Sequence, residues 1–206
     1  MMTRLRTDQE TFWAGEFGNE YTVRNQVQAE QRQSFFAHVL RQTYGVRSIC
    51  ELGANQGHNL QAIANLSQNF ELTGVELNES AWERLQAICG DRAIHASIQD
   101  FISTHPFDLV FTCGVLIHLN PDDLPAVYQK MYDLSDRYIL INEYFNPVPV
   151  ELHYRGHTGK LFKRDFATEC IAHNEGKLAV VDYGFLWKRM NPSWDDTTWF
   201  LLEKVV

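Results

Sequence analysis

Apolar residues follow two rhythms along this chain. Between residues 46 and 145, short and almost unbroken apolar runs alternate with stretches where apolar positions recur every three or four residues. The runs at 48–52, 72–77, 93–98, 109–113 and 138–144 predict strands, and the intervening patterns at 59–66, 80–89 and 122–134 predict helices. The run at 138–144 is almost wholly apolar, as expected of a strand covered on both faces. Strict alternation of strand and helix predicts a parallel sheet with helices on both sides. Two helices carry start signals. Asn78 stands as a cap before Glu79, and Asn120-Pro121-Asp122-Asp123 supplies a cap, a first-turn proline and acids against the helix dipole.

The rhythm differs at both ends. Residues 7–40 are polar and helical in character, with Val27, Phe35, Phe36, Val39 and Leu40 on one face of a helix over 26–41. Within that segment, residues 12–25 alternate aromatics with glycines and close on an arginine. A lid over a ligand would use this mixture: Trp13 and Tyr21 to cover apolar atoms, Arg24 to meet a carboxylate with paired donors. A helical cap packed by its own aromatics is the other reading. After residue 145, Pro147 and Pro149 break regular structure and 150–160 reads as a long loop. A helix over 163–173 follows, then two β-rich runs, 178–187 and 197–205, joined through Asn191-Pro192-Ser193 as an antiparallel pair. The expected organisation is one domain over 1–206: a helical cap or lid (1–45), a ligand-binding core (46–145), and a loop, helix and hairpin (146–206).

The turn Glu51-Leu52-Gly53-Ala54-Asn55-Gln56-Gly57 stands directly after the first strand and before a helix. Such a turn presents backbone N–H groups where a carboxylate or phosphate can bind. Its spacing, E-x-G-x-x-x-G, differs from the dinucleotide fingerprint G-x-G-x-x-G. Gly53 permits the turn, Asn55 tolerates a left-handed backbone, and Gly57 lets the helix approach a ligand. Glu76 closes the second strand in register with the turn, placed to accept hydrogen bonds from both hydroxyls of a ribose.

Composition narrows the partners. A formal charge of −8 argues against a wide nucleic-acid footprint, and no apolar run reaches bilayer-spanning length. The four cysteines are scattered, with no C-x-x-C pair and no metal-ligand spacing, so no metal is expected. Cys50 and Cys113 sit in strand-like runs as small core residues, and reduced thiols without a leader segment indicate the cytoplasm.

The turn, Glu76 and the strands between them resemble motif I and its partner acid in the S-adenosylmethionine-dependent methyltransferases of Rossmann-like fold. That resemblance implies an α/β fold: a seven-stranded, mostly parallel sheet with helices on both faces and a C-terminal antiparallel hairpin. It implies S-adenosylmethionine as cofactor, held by Glu51, Gly53, Asn55, Gly57, Glu76 and Leu77. By the same resemblance Asp100 would meet the adenine amine, with Ile98, Gln99 or Phe101 around the ring and Cys113 and Gly114 flanking the methionine portion. An ordinary helix-capping role is the alternative for Asp100. More narrowly, FWAGEFGNEYTVRN (12–25), ELGANQGHN (51–59) and INEYFNPVPVELHYRGHTGKLFKRDF (141–166) resemble the methylases associated with pseudaminic acid biosynthesis clusters.

This narrower resemblance implies a small-molecule, sugar-related acceptor. The acceptor side gathers Tyr144, His153, Tyr154, Arg155 and Lys160, a local basic cluster suited to a carboxylate or phosphate. A solvated loop whose charges balance nearby acids is the bland alternative. His118 is the first candidate base because it follows the fourth strand, with Glu143, His153 and His157 behind it. A structural histidine is the other reading of His118. A non-catalytic cofactor-binding regulator and a nicotinamide-dependent oxidoreductase remain alternatives, and monomer or homodimer is left open.

Overall fold

Alternation inside each apolar run decides which of two layers a side chain joins. In the computed structural model, which describes residues 5–205, β1 (Ser48–Leu52) sends Ile49 to one face of the sheet and Cys50 and Leu52 to the other. In β4 (Phe107–Cys113), Leu109 and Phe111 join the first layer and Val110 the second. In β5 (Ser135–Glu143), Leu140 joins the first and Ile139 and Ile141 the second. The first layer is covered by α3 (Gln33–Arg41), α4 (His58–Ala64) and α5 (Glu79–Cys89), through Phe36, Val39, Leu60, Ile63 and Leu85. The second is covered by α6 (Leu124–Leu134) and α7 (Phe166–His173), through Val127, Met131, Phe166 and Cys170. Full burial of one such side chain stabilises by about 1.5–3 kcal/mol, so both helical layers are held by the sheet between them.

With β2 (Glu71–Glu76), β3 (Ala93–His95), β8 (Leu178–Leu186) and β9 (Thr197–Lys204), the sheet order is β3-β2-β1-β4-β5-β9-β8. The first five strands are parallel, while β9 runs antiparallel to both β5 and β8. This is the expected seven-stranded sheet with its terminal hairpin. Strand order reverses between β1 and β4, which opens a crevice at their carboxyl ends. Side-chain caps fix the helix starts beside it. Asn78 accepts from Ala81 N–H at 3.0 Å, and Asp165 accepts from Thr168 N–H at 3.0 Å. No helix among the described residues is long and apolar enough to cross a membrane.

Several boundaries differ from the sequence pattern. Residues 1–4 of the expected cap lie outside the described residues; the rest forms α1 (Asp8–Ala14), α2 (Glu16–Arg24) and a 3-10 turn (Ala29–Arg32) ahead of α3. The strand expected over 93–98 ends at His95, and residues 96–99 turn toward the crevice instead. The expected loop over 150–160 is an ordered hairpin. Its short strands β6 (Val150–Glu151) and β7 (Phe162–Lys163) pair antiparallel, and Leu152 N–H donates to Leu161 O at 2.9 Å. Its tip, where Tyr154 and His157 exchange backbone hydrogen bonds, has positive φ at Arg155 (50°) and Gly156 (92°), the geometry that matches hairpin twist.

Gly57 serves packing rather than ligand approach. Its φ is 82°, and an added Cβ would stand 2.7 Å from Ile88 Cδ1 and 2.8 Å from Leu85 Cδ1, both on α5. At Gly45, also left-handed with φ 73°, nothing lies within 4 Å of an added Cβ. Replacement by alanine costs about 1–2 kcal/mol at either site from the backbone alone. Overpacking adds about 1–3 kcal/mol more at Gly57. Urea unfolding of the two variants is expected to show that excess; equal losses would contradict the packing role.

Candidate active site

A cavity of about 550 Å³ opens at the carboxyl ends of β1, β2, β4 and β5, with Glu51, Glu76, Cys113 and Asn142 in its wall. The glycine turn forms one side. Gly53 (φ 76°) cannot carry a side chain, because a Cβ would meet the methyls of Val115 at 2.7 and 2.8 Å. Asn55 adopts the left-handed conformation, φ 48°. Four backbone donors of this turn are engaged within the protein. Gly53 and Ala54 N–H donate to Val75 O at 2.8 and 2.9 Å, Gly57 N–H to Ala54 O at 2.9 Å, and Asn55 N–H to Glu76 Oε2 at 2.7 Å.

Two buried carboxylates therefore dominate this wall. Glu76 accepts from Asn55 N–H on one oxygen and from Asn78 N–H on the other, at 2.7 Å each. Burial raises its pKa, and those N–H bonds pull it back. Each oxygen retains acceptor capacity. Glu51 accepts from Asn59 Nδ2 at 2.6 Å on Oε1, while Oε2 has no partner among the described residues. Burial pushes its pKa up to about 8, opposed by the Asn59 bond and the Arg32 charge. Arg32 donates to Asn59 Oδ1 at 2.6 Å and to Ser193 O at 2.7 and 3.2 Å, and lies 4.2 Å over the Trp194 ring.

Helices α1 and α2 cover the opening. Their close approach needs Gly18, where a Cβ would fall 1.8 Å from Trp13 O. Asn78 Nδ2 ties them down, donating to Trp13 O at 3.1 Å and Asn19 Oδ1 at 2.8 Å. Gln56 of the turn holds their far end through Thr22 O at 2.6 Å and Asn25 O at 3.0 Å. Trp13, Tyr21 and Arg24 all line the cavity. Trp13 meets Tyr21 edge-on at 5.3 Å, and Arg24 lies 5.5 Å over the Tyr21 ring. Burial pushes the Tyr21 hydroxyl up to about 12.

His118 stands where the fourth-strand segment meets the lid, 4.5 Å from the Trp13 ring and 5.2 Å from that of Tyr154. Its Nδ1 lies 2.7 Å from Lys160 O, so Nδ1 carries the proton and Nε2 is left as an acceptor. Burial lowers its pKa to about 4, which keeps the ring neutral. Beyond it, Tyr144 hydroxyl donates to Asp195 Oδ2 at 2.8 Å, and Lys188 pairs with Asp195 Oδ1 at 2.7 Å. Tyr154 and Arg155 complete this end.

Residues 50–136 match a family model described as a methyltransferase domain. Magnesium protoporphyrin IX methyltransferase of Synechocystis PCC 6803, solved with bound S-adenosylmethionine, superposes at a TM-score of 0.66 with 13% identity, over 98% of this chain and 100% of that one. 1,6-Didemethyltoxoflavin-N1-methyltransferase of Burkholderia thailandensis superposes at 0.69 with 14% identity, over 100% and 94%. That structure holds 1,6-didemethyltoxoflavin and S-adenosylhomocysteine. These likenesses establish a common fold. No curated protein sequence matches the chain.

Around the cavity the structure gathers Glu51, Gly53, Asn55, Glu76, Leu77, Ile98, Gln99, Cys113, Gly114, His118, Tyr144, Tyr154 and Arg155 with the three lid residues. Seven expected residues stand elsewhere. Gly57 packs on α5, and Phe101 is buried in the second core layer. Asp100 is paired with Arg6 outside the lining. Glu143 is buried and accepts from the N–H groups of Val115 (3.0 Å), Leu116 (3.1 Å) and Ile117 (3.5 Å), so it organises the segment before His118 and does not face an acceptor. His157 is exposed and meets Phe12 edge-on at 4.8 Å, His153 is exposed, and the Lys160 ammonium lies 5.2 Å over Phe12. Glu10, Arg32, Asn59, Lys188, Trp194 and Asp195 line the cavity without having been expected there, whereas Asn142 lines it from the strand end beside Tyr144 where an acceptor was expected. Asn59 carried a faint signal as a polar residue on the inward face of its helix; the other unexpected residues carried none.

The buried acids make stability depend on pH. Glu51 has a folded pKa of about 8 against an ordinary 4.5, so the folded state holds the extra proton. Its contribution is fully present below the ordinary value and lost as pH rises through about 8. Glu143, pushed up to about 7, has the same sign. The melting temperature of the ligand-free protein is expected to fall between about pH 5 and pH 8, and Glu51→Gln to flatten that fall. A slope unchanged in the variant would contradict the assignment.

Proposed function

We propose that this chain transfers a methyl group from S-adenosylmethionine to a small-molecule acceptor of sugar-like, anionic character. One observation carries the reading. Of the seven buried side-chain polar atoms without a partner among the described residues, six belong to residues lining the one large cavity: Glu10, Trp13, Glu51, Asn55, Asn142 and Thr197. Orphaned buried polar groups cost about 1–3 kcal/mol each, so a cluster of them marks a place built for ligand atoms.

The residues fit the proposed cofactor. Glu76 suits a ribose diol, since each carboxylate oxygen keeps acceptor capacity. Glu51 Oε2 suits an ammonium, whose positive charge offsets the penalty of ionising a buried acid. Arg24, at the C-terminal end of the lid, suits the accompanying carboxylate. A dinucleotide fits less well, because the E-x-G-x-x-x-G spacing departs from the dinucleotide fingerprint and the N–H groups at Gly53, Ala54, Asn55 and Gly57 are engaged within the protein.

When bound, S-adenosylmethionine supplies an electrophilic methyl carbon on a sulfonium. The protein's part is alignment and desolvation. Trp13, Tyr21 and Tyr154 exclude water, and well-oriented groups supply on the order of 7–11 kcal/mol of a barrier in favourable cases. His118, neutral and with Nε2 left as acceptor, takes the proton of a hydroxyl acceptor. Arg155 holds the acceptor's anionic group; Lys188, already neutralised by Asp195, does not. The aromatic walls of Tyr21, Tyr144 and Tyr154 suit the apolar face of a sugar ring. Small-molecule acceptors are also what the protoporphyrin and toxoflavin enzymes are named for. The likeness of 12–25 and 141–166 to pseudaminic acid-associated methylases narrows the acceptor toward sugars. The four free cysteines fit a reducing cytoplasm.

Titration calorimetry with S-adenosylmethionine, S-adenosylhomocysteine and NAD tests the reading. Binding of the first two is expected, and Glu76→Ala is expected to weaken it by roughly 1–3 kcal/mol, the worth of charged hydrogen bonds. NAD binding alone would overturn the cofactor, and an unaffected Glu76→Ala variant would overturn the ribose assignment.

A further inference from the structure

The adenine-amine role expected at Asp100 meets a physical obstacle: that carboxylate is outside the cavity lining and is ion-paired with Arg6. A second acid stands nearby. Glu10 on α1 is 4% exposed, lines the cavity with Ala96, Ser97, Ile98 and Gln99, and has its Oε2 accepting from Arg6 N–H. Its Oε1 is buried with no partner among the described residues. An unpaired carboxylate oxygen at that depth calls for a donor.

We infer that Glu10 of the lid is the specificity residue for the cofactor's base, its Oε1 accepting from the exocyclic amine of adenine. This rests on the cofactor reading proposed above and assigns the recognition to a residue of the N-terminal lid rather than of the segment after β3. Arg6 organises the site from both sides: its backbone N–H fixes Glu10 Oε2, and its guanidinium neutralises Asp100. The base thereby couples to the lid. A cofactor whose amine engages Glu10 holds α1 over the crevice, beside the Gln9 bond to Gly159 O at 2.9 Å.

The chemistry makes a directional test. Glu10→Gln must still offer an oxygen to Arg6 N–H, so its amide oxygen takes the Oε2 place and its NH₂ takes the Oε1 place. An acceptor toward the base becomes a donor. Calorimetry is run with S-adenosylhomocysteine and S-inosylhomocysteine, in which a carbonyl replaces the amine. The unaltered protein is expected to prefer the adenosyl ligand by at least about tenfold, as expected when a site's buried polar group loses its partner. Glu10→Gln is expected to invert the preference, and Asp100→Asn to retain it. Should the Gln variant fail to fold, Glu10→Asp, with the carboxylate withdrawn by one carbon, is expected to lessen the preference. A preference kept by the Glu10 variants, or lost in Asp100→Asn alone, would overturn the inference. Failure of the unaltered protein to bind either ligand would overturn the cofactor reading itself.

Discussion

Two backbone N–H groups from different turns converge on the Glu76 carboxylate, and the organisation of the cavity follows from that convergence. Asn55 reaches it from the turn after β1 and Asn78 from the cap of α5. A hydrogen bond to a charged group contributes about 1.5–3 kcal/mol, enough to hold a left-handed Asn55 and to offset part of the cost of burying an acid. Asn78 then passes the constraint outward. Its side chain caps α5 and also binds the lid at Trp13 O and Asn19 Oδ1. Turn, helix start and lid are thus fixed to one acid at the end of β2.

The same geometry determines what the cavity asks of a ligand. With the N–H groups of Gly53, Ala54, Asn55 and Gly57 engaged internally, this wall offers acceptors: Glu76, and the oxygens of Glu51 and Glu10 that have no partner among the described residues. A ligand rich in hydroxyl, ammonium and amine donors meets those needs, and a diphosphate does not. Cationic groups lie toward the other end, where Arg24 and Arg155 line the space and Lys188 is neutralised by Asp195. One end is chemically suited to the donor molecule and the other to an anionic acceptor, with His118 between them under Trp13 and Tyr154.

Much of the fold was legible because strand and helix periods are local properties. The order of elements, the caps at Asn78 and Asn120, the left-handed Asn55 and the strand-end position of Glu76 were all readable. What was not readable depends on contacts between distant residues. Arg32 reaches Ser193 across 161 positions, and it orients Asn59 toward Glu51. Glu143 ends an apolar strand as a candidate base would, yet three N–H groups of the 115–117 turn claim it. The hairpin tip at 155–156 was obscured because arginine rarely takes a positive φ, and Pro147 and Pro149 suggested a loop.

The central claim is that this cavity is a nucleoside site organised by buried carboxylates. A crystal structure of the protein with S-adenosylhomocysteine tests it most directly. Both ribose hydroxyls are expected within hydrogen-bond distance of Glu76, the ammonium at Glu51 and the sulfur facing the space beside His118. A ligand bound elsewhere, or one whose ribose turns away from Glu76, would contradict it.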